Sequence, residues 1–507
     1  MLSQFLAQAQ GQINPPDVSY AAIAPILIIL GAACVGVLFE AFLAKESRWA
    51  WQVALCVVAI LAAGVALILF MNSDAAKGGA AGHTGVLTLG NVISIDQPAL
   101  FLWGTLLALS LLALLLLADR TVDPDGALQT EAFPLFLFAL GGMLVFSASN
   151  NLLTMFIALE VLSLPLYLMC GLARKRRLIS QEAAVKYFLL GAFASAFFLY
   201  GTALLYGYAG SVRLSDITNA AVGTDRSDTL LFGGLGLLVV GLLFKAAVGP
   251  FHTWTPDVYQ GAPTPVTAYM AACTKVAAFG GILRVLTVSF QSTQWEWRGV
   301  LWAVCIVSMA IGAIFGLTQT DVKRMIAYSS VAHAGFLLVG AIALNTDGLQ
   351  STLFYLVAYG FTTIASFGVI SLVRRGNGEA SDLSEWAGLA KRSPLLAAVF
   401  TFLLLALAGI PLTSGFVGKF VVFSAALRDG MAPLVVIALV FSAVAAFFYL
   451  RVVVLMYFSE PAEDGPTVTV PGAFTRIAIG VGVFITLLLG IVPGFVLDWA
   501  AKGGFLG

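Results

Sequence analysis

The feature that most constrains this chain is a series of apolar segments, each about 20 residues long, that fills most of the sequence. A helix of this length crosses the hydrocarbon core of a bilayer. Because the bilayer core contains no water, each crossing segment must satisfy its own backbone hydrogen bonds, and a helix does so. The sequence therefore predicts an all-α polytopic membrane protein.

We predict fourteen transmembrane helices from these segments. The two that lie closest together are separated only by Asn150 and Asn151. Their combined length is too great for one crossing, so a tight polar hairpin is predicted between them. The fourteen segments run over residues 20–43, 50–71, 97–118, 131–149, 152–173, 182–209, 229–253, 264–289, 298–318, 325–344, 349–373, 394–424, 431–458 and 473–497.

Composition agrees with a membrane location and restricts the possible functions. Of the 507 residues, 60% are hydrophobic and 10% are charged, whereas soluble domains carry ~25% charged residues. The formal net charge is zero, so the chain shows no basic surface for nucleic acid. The five cysteines stand in apolar runs without CxxC spacing, and neither a Walker motif nor a complete GxGxxG occurs. We therefore expect no metal site, redox cofactor or nucleotide site in this chain.

The distribution of basic residues between loops predicts the orientation in the membrane. Loops rich in lysine and arginine stay on the cytoplasmic side, and here the asymmetry places both termini outside. The cluster Arg174–Arg177 is interpreted as a topology signal, and residues 1–17 as a short tail rather than a signal peptide. The predicted cytoplasmic set is Lys45, Arg48, Arg120, Arg174, Lys175, Arg176, Arg177, Lys323, Arg324, Arg374, Arg375, Lys391 and Arg392. The smaller, outer set is Lys77, Arg213, Arg226, Arg298, Arg428 and Lys502.

Two of the segments contain residues that a regular helix does not accept. Gly249-Pro250 interrupts the seventh segment and Gly409-Ile410-Pro411 the twelfth, because proline has no N–H and its ring clashes with the preceding turn. Lys245 precedes the first break and Lys419 follows the second. These two helices are the seventh and the twelfth, so they are five crossings apart. An odd number of crossings reverses the direction of the chain, and we therefore predict two inverted five-helix repeats, an arrangement typical of transport sites. The predicted divisions are 1–130 (three peripheral helices), 131–290 (first repeat), 297–460 (second, inverted repeat) and 461–507 (a loop and the last helix).

Ionisable side chains inside the predicted spans mark the candidate site. Glu160 lies near the middle of the fifth span, Lys245 lies near the first break, and Lys275 lies ~15 Å into the eighth span. A charged side chain at the centre of the bilayer costs ~2.5–3.5 kcal/mol even on the membrane-insertion scale, which gives the lower estimates. We therefore expect these three side chains to pair with one another or to face water.

Further polar residues extend this set, each with a structural alternative. Lys186 lies near the cytoplasmic end of the sixth span, where a lysine also reaches the interface by snorkelling. His333 in the tenth span fits either a proton relay or a hydrogen-bonded core histidine. A stripe of hydroxyl groups in the eleventh span fits either a polar pathway or ordinary helix–helix hydrogen bonding. Its members are Tyr355, Tyr359, Thr363 and Ser366.

Lysine and glutamate at these positions suit proton transfer better than sodium binding. A solvated lysine holds its proton up to pH ~10.4, whereas burial disfavours its charged form and a nearby carboxylate favours it. At ~4 Å and an effective dielectric constant of ~20 the pair energy is ~4 kcal/mol, about three pH units. The distance between Glu160 and Lys245 therefore decides whether the lysine holds or releases its proton. Na⁺ is bound by oxygen ligands, which an ammonium group does not supply.

Several runs of the sequence resemble a known family, the proton-conducting membrane transporters. They are KAAVGPFHTWTPDVYQGAPTP at 245–265, LEVLSLPLY at 159–167, VKYFLLG at 185–191, DVKRMIAYSSVAH at 321–333 and GIPLTSGFVGKF at 409–420. The family contains the antiporter-like subunits of respiratory complex I and the cation/proton antiporters of the Mrp type. The resemblance covers residues 130–460, while the first three spans and the last one fit by position.

The resemblance implies two proton half-channels joined by a polar axis at mid-membrane. It assigns Glu160 and Lys245 to a regulating ion pair, Lys275 to the central relay, and Lys419 to the end of the second half. The full set of candidate relay residues is Glu160, Lys186, Lys245, His252, Lys275, His333 and Lys419.

The resemblance also implies partners and cofactors. Other membrane subunits of complex I, the lipid bilayer and protons are the expected partners, while FMN, iron–sulfur clusters and quinone belong to partner subunits. The expected function is proton translocation within an NADH–quinone oxidoreductase of a bacterial cytoplasmic (inner) membrane. One alternative is a subunit of an Mrp-type Na⁺/H⁺ antiporter, recognisable by Na⁺-dependent transport without NADH. Another is a structural membrane scaffold, which would tolerate alanine at Lys245 and Lys275.

Overall fold

The computed structural model describes residues 17–77, 85–122, 129–173, 177–222, 228–375, 378–461 and 465–506. Residues 1–16 and the basic residues Arg174–Arg176 and Arg226, on which part of the topology prediction rests, lie outside these ranges. In the described ranges the chain is largely helical, as predicted for an all-α membrane protein.

The α-helices follow one another with short connections. In chain order they are α1 (Tyr20–Phe42), α2 (Lys45–Met71), α3 (Asp74–Lys77), α4 (Gln97–Ala118), α5 (Ala132–Ala148), α6 (Leu152–Cys170), α7 (Arg177–Ala209), α8 (Leu214–Val222), α9 (Asp228–Lys245), α10 (Trp254–Gly261), α11 (Thr264–Tyr269), α12 (Lys275–Arg284), α13 (Gln294–Leu317), α14 (Val322–Ala341), α15 (Thr346–Leu372), α16 (Leu389–Arg392), α17 (Pro394–Ala408), α18 (Ser414–Arg428), α19 (Ala432–Phe458), α20 (Ala473–Ile491) and α21 (Gly494–Ala500). Two π-helical turns, Met270–Thr274 and Val285–Ser289, continue α11 and α12, and 3-10 turns cover Gln291–Thr293 and Leu383–Trp386.

Two small antiparallel sheets lie in loops between these helices and were not anticipated from the sequence. Strands β1 (Gly85–Thr88) and β2 (Ile93–Asp96) form a hairpin in which Gly85 pairs with Asp96. Strands β3 (Val373–Arg375), β4 (Gly378–Glu379) and β5 (Thr467–Val468) form a sheet of order β4-β3-β5, with Val373 opposite Val468.

Each predicted apolar segment overlaps one helix or several consecutive helical pieces. In the described part of the chain, 11 helical units are long and apolar enough to cross a membrane, and α5 and α17 are shorter apolar helices. Some helices begin earlier than predicted: α7 starts at Arg177 rather than at residue 182, because polar residues at the interface prolong the helix beyond its apolar part. The all-α membrane fold is confirmed, while the count of fourteen spans and the inverted repeats stay predictions.

Both predicted breaks are present. Helix α9 ends at Lys245 and α10 begins at Trp254; α17 ends at Ala408 and α18 begins at Ser414. The first helix ends four residues before Gly249-Pro250, because the proline ring and its missing N–H disrupt the turn that precedes it. At the second break Gly409 ends α17 with φ +88°, a left-handed conformation that glycine adopts without strain.

Helices differ strongly in how much of their surface lies inside the molecule. In the most apolar part of each span, 94% of α15 and 89% of the unit from α11 to Ser289 are buried, against 33% of α7 and α19. The first two therefore form the centre of the molecule, and the last two carry broad apolar surfaces on its outside. A central position excludes lipid from the polar residues that α15 and the α11–α12 unit carry.

One fully buried ion pair joins several of these elements at one end of the molecule. Arg284 at the end of α12 donates two hydrogen bonds to Asp96, 2.8 Å to Oδ2 and 2.9 Å to Oδ1, and both side chains have zero exposure. Asp96 also accepts from the backbone N–H of Ala99, which caps α4, and from that of Leu506 in the C-terminal segment. The pair thus connects β2, α4, α12 and the C-terminal segment.

We expect Asp96→Ala to destabilise the protein by ~3–5 kcal/mol, because it leaves the Arg284 guanidinium buried without its counter-ion. The measurement is the unfolding midpoint of the purified protein in detergent. The matched control is Glu460→Ala, which breaks the exposed pair between Lys391 and Glu460 and should change stability by ~0–1 kcal/mol. Equal, small losses for the two variants would contradict a stabilising role for the buried pair.

Candidate functional site

Lys275 is buried at the centre of the molecule and is held by backbone carbonyls. Its exposed fraction is 2%. Nζ donates to the carbonyl oxygen of Ala246 at 3.1 Å and to that of Ser330 at 2.9 Å. The amine also lies 5.5 Å from the ring centroid of Tyr359 in α15, within cation–π distance. Both hydrogen-bond acceptors are neutral.

Lys419 occupies a similar setting at the second break. Its Nζ donates to the carbonyl oxygens of Leu407 and Ala408 at 3.2 Å and 2.8 Å, and to Ser442 Oγ in α19 at 3.0 Å. The ring centroid of Phe336 lies 5.0 Å away. Here too a buried amine is bound by neutral oxygen atoms of the chain.

The prolines of the two breaks explain why these carbonyls are available. In an α-helix the carbonyl of residue i accepts from the N–H of residue i+4, and proline has no N–H. Pro250 therefore cannot donate to the carbonyl of Ala246, the residue that follows α9, and Pro411 cannot donate to that of Leu407 in the last turn of α17. In both places a buried lysine donates instead: Lys275 to the first carbonyl and Lys419 to the second.

Lys245 is the last residue of α9, and its amine is bound by hydroxyl groups. Nζ lies 2.8 Å from Ser163 Oγ in α6 and 2.9 Å from the Tyr187 hydroxyl in α7. A small cavity of about 10 Å³, lined in part by Ser163, Ser195 and Lys245, adjoins it. This volume is close to the minimum of about 10–15 Å³ that holds one water molecule.

Glu160 lies one turn before Ser163 in α6 but forms no ion pair with Lys245 in the described part of the chain. Its Oε1 atom is buried and has no hydrogen-bond partner among the described residues. Because Ser163, one turn along α6, binds Lys245, Glu160 lies in the neighbourhood of this lysine. The predicted direct pair is therefore replaced by an arrangement in which Ser163 contacts the lysine and Glu160 stays unpaired nearby.

His333 is the centre of a network of hydroxyl groups. Its Nδ1 lies 2.6 Å from the Tyr355 hydroxyl, and its Nε2 lies 3.4 Å from the hydroxyl of Tyr449 in α19. Tyr449 in turn contacts Ser329 Oγ. The ring of Tyr359, which faces Lys275, lies 5.1 Å from the His333 ring. Part of the hydroxyl stripe predicted in the eleventh span thus surrounds His333 and approaches Lys275.

Lys186 does not join the buried amines. Its side chain is 41% exposed, and Nζ forms ion pairs of 2.6 Å with Glu182 and with Asp257 in α10. Asp257 also binds Arg324 of α14, so this carboxylate links α7 to α14 through α10. Burial raises the pKa of the Asp257 carboxyl, but hydrogen bonds from Lys186 and Arg324 lower it further, so that it lies below its usual value.

His252 lies in the segment between α9 and α10 and is 9% exposed. Its Nδ1 is buried and has no hydrogen-bond partner among the described residues, and its ring lies 6.1 Å from that of Tyr328. Of the seven candidate residues, Lys275 and His333 both lie next to the ring of Tyr359, whereas Lys186 belongs to a separate charged cluster.

Several residues that bind the buried amines or His333 were not identified from the sequence. Tyr187 and Ser442 bind lysine amines, and Tyr449 contacts His333, from helices that were predicted only as apolar spans. The carbonyls of Ala246 and Leu407 had a usable signal, because each lies four residues before a proline that interrupts a span. Contacts from distant helices such as α19 have no comparable signal in a single sequence.

The fold and the site together define a class. A multi-spanning helical protein with two broken helices and buried lysines at both breaks is an antiporter-like membrane protein.

Comparisons with known proteins identify the family. Residues 149–445 match the model of the NADH:quinone oxidoreductase/Mrp antiporter transmembrane family, and the chain belongs to this family. A relative from Saccharopolyspora erythraea named NADH-quinone oxidoreductase subunit N is 71% identical over 98% of this chain and 99% of its own. One of the same name from Mycobacterium bovis is 50% identical over 97% of this chain and 99% of its own.

Solved structures agree with the family. A chain of respiratory complex I from Thermus thermophilus is 34% identical, with a TM-score of 0.77 over 95% of this chain and all of that chain. A chain of an Mrp complex from Dietzia sp. has a TM-score of 0.80 over 94% of this chain and 96% of that chain, and at 22% identity it shows the fold alone. The predicted resemblance to the complex I and Mrp family is thus confirmed.

Proposed function

We propose that this chain translocates protons as subunit N of an NADH–quinone oxidoreductase in a bacterial cytoplasmic membrane. One observation carries the proposal: Lys245, Lys275 and Lys419 are buried, and their hydrogen-bond partners among the described residues are all neutral. In the described part of the chain none of the three forms an ion pair. The names of its relatives support the assignment to the complex.

Neutral partners suit a group that has to change its protonation state. A carboxylate in direct contact favours the ammonium form by several kcal/mol at low dielectric, which keeps the proton in place. Carbonyl and hydroxyl oxygens accept more strongly from the ammonium than from the neutral amine, but they still bind the amine, which keeps two N–H donors. Such lysines release a proton without leaving a buried carboxylate unpaired, and the oxygen atoms stabilise the ammonium form when the proton returns.

The proposed pathway begins at Lys245, whose hydroxyl partners and adjoining cavity give a proton a way in. Lys275 is the central carrier, because the rings of Tyr359 and His333 continue from it toward α19 and α18. Lys419 is the last lysine of the proposed pathway and lies in the second half of the chain. Glu160 acts on Lys245 from nearby through its charge, and a conformational change that replaces the Ser163 contact would bring the two into contact. His252 is a further candidate beside the first break.

The proposal extends to the organisation of the chain and its partners. Two inverted five-helix units, residues 131–290 and 297–460, would each present one broken helix with a freed carbonyl. Both termini would lie on the periplasmic side. Other membrane subunits would adjoin the chain, and FMN, iron–sulfur clusters and quinone would belong to partner subunits, so that redox energy reaches this chain through conformational change.

We expect Lys275→Ala to leave the complex assembled and to abolish or strongly lower proton pumping, because no other amine occupies the centre of the pathway. The measurement is the number of protons moved per electron by the purified complex in sealed vesicles. Lys391→Ala, which removes an exposed lysine, is the control and should pump normally. Normal pumping by an assembled Lys275→Ala complex would refute the carrier role, and Na⁺-dependent transport without NADH would instead favour an antiporter.

We also expect Glu160→Gln to lower pumping, because Lys245 then loses the negative charge that favours its ammonium form. Loss of one partner from a buried pair costs ~3–5 kcal/mol unless the remaining group changes protonation, and lysine can do so. The protein should therefore stay folded. Since both residues act on the same step, Glu160→Gln combined with Lys245→Ala should pump little worse than the more damaging single variant. Independent, additive losses would exclude a shared step.

A further inference from the structure

The two carbonyls that hold Lys275 belong to separate parts of the chain. Ala246 follows the last residue of α9, whereas Ser330 lies in the middle of α14. The Lys275 amine contacts both only while these two backbone segments keep a fixed separation. A group that ties one segment to the other therefore controls the geometry around the amine.

Ser308 in α13 is such a group. Its side chain is fully buried. Oγ donates to the carbonyl oxygen of Val331 at 2.8 Å and accepts from the N–H of Gly249 at 3.0 Å. Val331 is the residue next to Ser330, and Gly249 lies three residues after Ala246. One hydroxyl group thus bridges the two segments whose carbonyls bind Lys275.

The helix break creates the need for this bridge. In a continuous helix the Gly249 N–H would bind the carbonyl of Lys245, but α9 ends there. A buried N–H without a partner costs about 1–3 kcal/mol, and the Ser308 hydroxyl satisfies it. Close packing fixes the distance, since a Cβ on Gly249 would lie only 3.1 Å from Ser308 Cα.

The helix that carries Ser308 is itself held against α14. A methyl group at Gly312, one turn after Ser308, would overlap the backbone of Ala332. The absence of that side chain lets α13 and α14 approach closely, as small residues do in membrane helix pairs. Ser308 therefore cannot follow the segment of Gly249 if that segment moves away from α14.

We propose that Ser308 is a positioning residue for Lys275: by bridging Gly249 and Val331 it keeps the carbonyls of Ala246 and Ser330 at the distance that lets both accept from the amine. This inference rests on the proposed role of Lys275 as a proton carrier. Ser308 itself does not bind Lys275, and its hydroxyl group takes no part in proton transfer. Its hydroxyl sets how strongly the site favours the ammonium form over the amine.

The test compares Ser308→Ala with Ser308→Thr in the assembled complex in sealed vesicles. Ser308→Ala should lower proton pumping near neutral pH by roughly fivefold, the factor for one lost hydrogen bond. The alkaline limb of its pumping–pH profile should move to lower pH, because the ammonium form loses acceptors. Among the described residues the ring of Tyr359 in α15 faces the Lys275 amine and the ring of His333 in α14 adjoins Tyr359, and both groups are unchanged in these variants.

Ser308→Thr keeps the hydroxyl group and should restore the wild-type profile. Ser371→Ala is the matched control, since it removes a buried hydroxyl whose one hydrogen bond among the described residues is to the Gly368 carbonyl within α15. It should leave rate and profile unchanged. If Ser308→Ala fails to assemble, Ser308→Cys, of similar size but with a weak S–H donor, takes its place with the same expectation.

Three results would overturn the inference: an unshifted profile with normal pumping in Ser308→Ala, a uniform loss at every pH, or the same shift in Ser371→Ala. These outcomes are separate from failure of the proposed function. If Lys275→Ala pumps normally, the carrier role itself is wrong. If Lys275→Ala does not pump but Ser308→Ala is normal, only the positioning role of Ser308 is wrong.

Discussion

The interaction on which the rest of this structure depends is the bond between a buried lysine amine and a carbonyl that has lost its helical donor. A lysine in the centre of a membrane protein needs acceptors, and most helix carbonyls already accept one hydrogen bond within the helix, although the Ser330 carbonyl in α14 accepts a second one from Lys275. A proline four residues further along removes one donor and frees one carbonyl. The chain uses this device twice, at Ala246 for Lys275 and at Leu407 for Lys419.

A broken helix inside a membrane requires support from its surroundings. Non-helical backbone is tolerated at membrane depth only where protein or water satisfies it, and here other helices supply that support. Ser308 of α13 binds the first break, and α15 and the α11–α12 unit, the most buried spans, surround Lys275. One buried amine, that of Lys275, thus depends on three features together. They are the central position of these helices, the close contact of α13 with α14, and the hydroxyl groups around His333.

Much of this arrangement could be predicted from the sequence, and the rest could not for identifiable reasons. Apolar length and Gly-Pro interruptions are local properties, so the helical fold and the breaks after Lys245 and Ala408 followed from them. The direct pair of Glu160 with Lys245 did not, because Ser163 and Tyr187 contact the lysine instead, and no local pattern reports which helix faces which. Lys186 was similarly ambiguous until Asp257, 71 residues away in sequence, was seen to bind it. The two small sheets and the Arg284–Asp96 pair also depend on contacts between distant segments.

The central claim is that the breaks exist to free carbonyls for the buried amines, and Pro411→Ala tests it most directly. Alanine restores an N–H that competes with Lys419 for the Leu407 carbonyl, whereas Pro25→Ala changes a proline inside α1, away from both breaks. The measurement is the number of protons moved per electron by each assembled complex in sealed vesicles. The account predicts roughly a fivefold loss for Pro411→Ala and no change for Pro25→Ala. Full pumping by an assembled Pro411→Ala complex would contradict it.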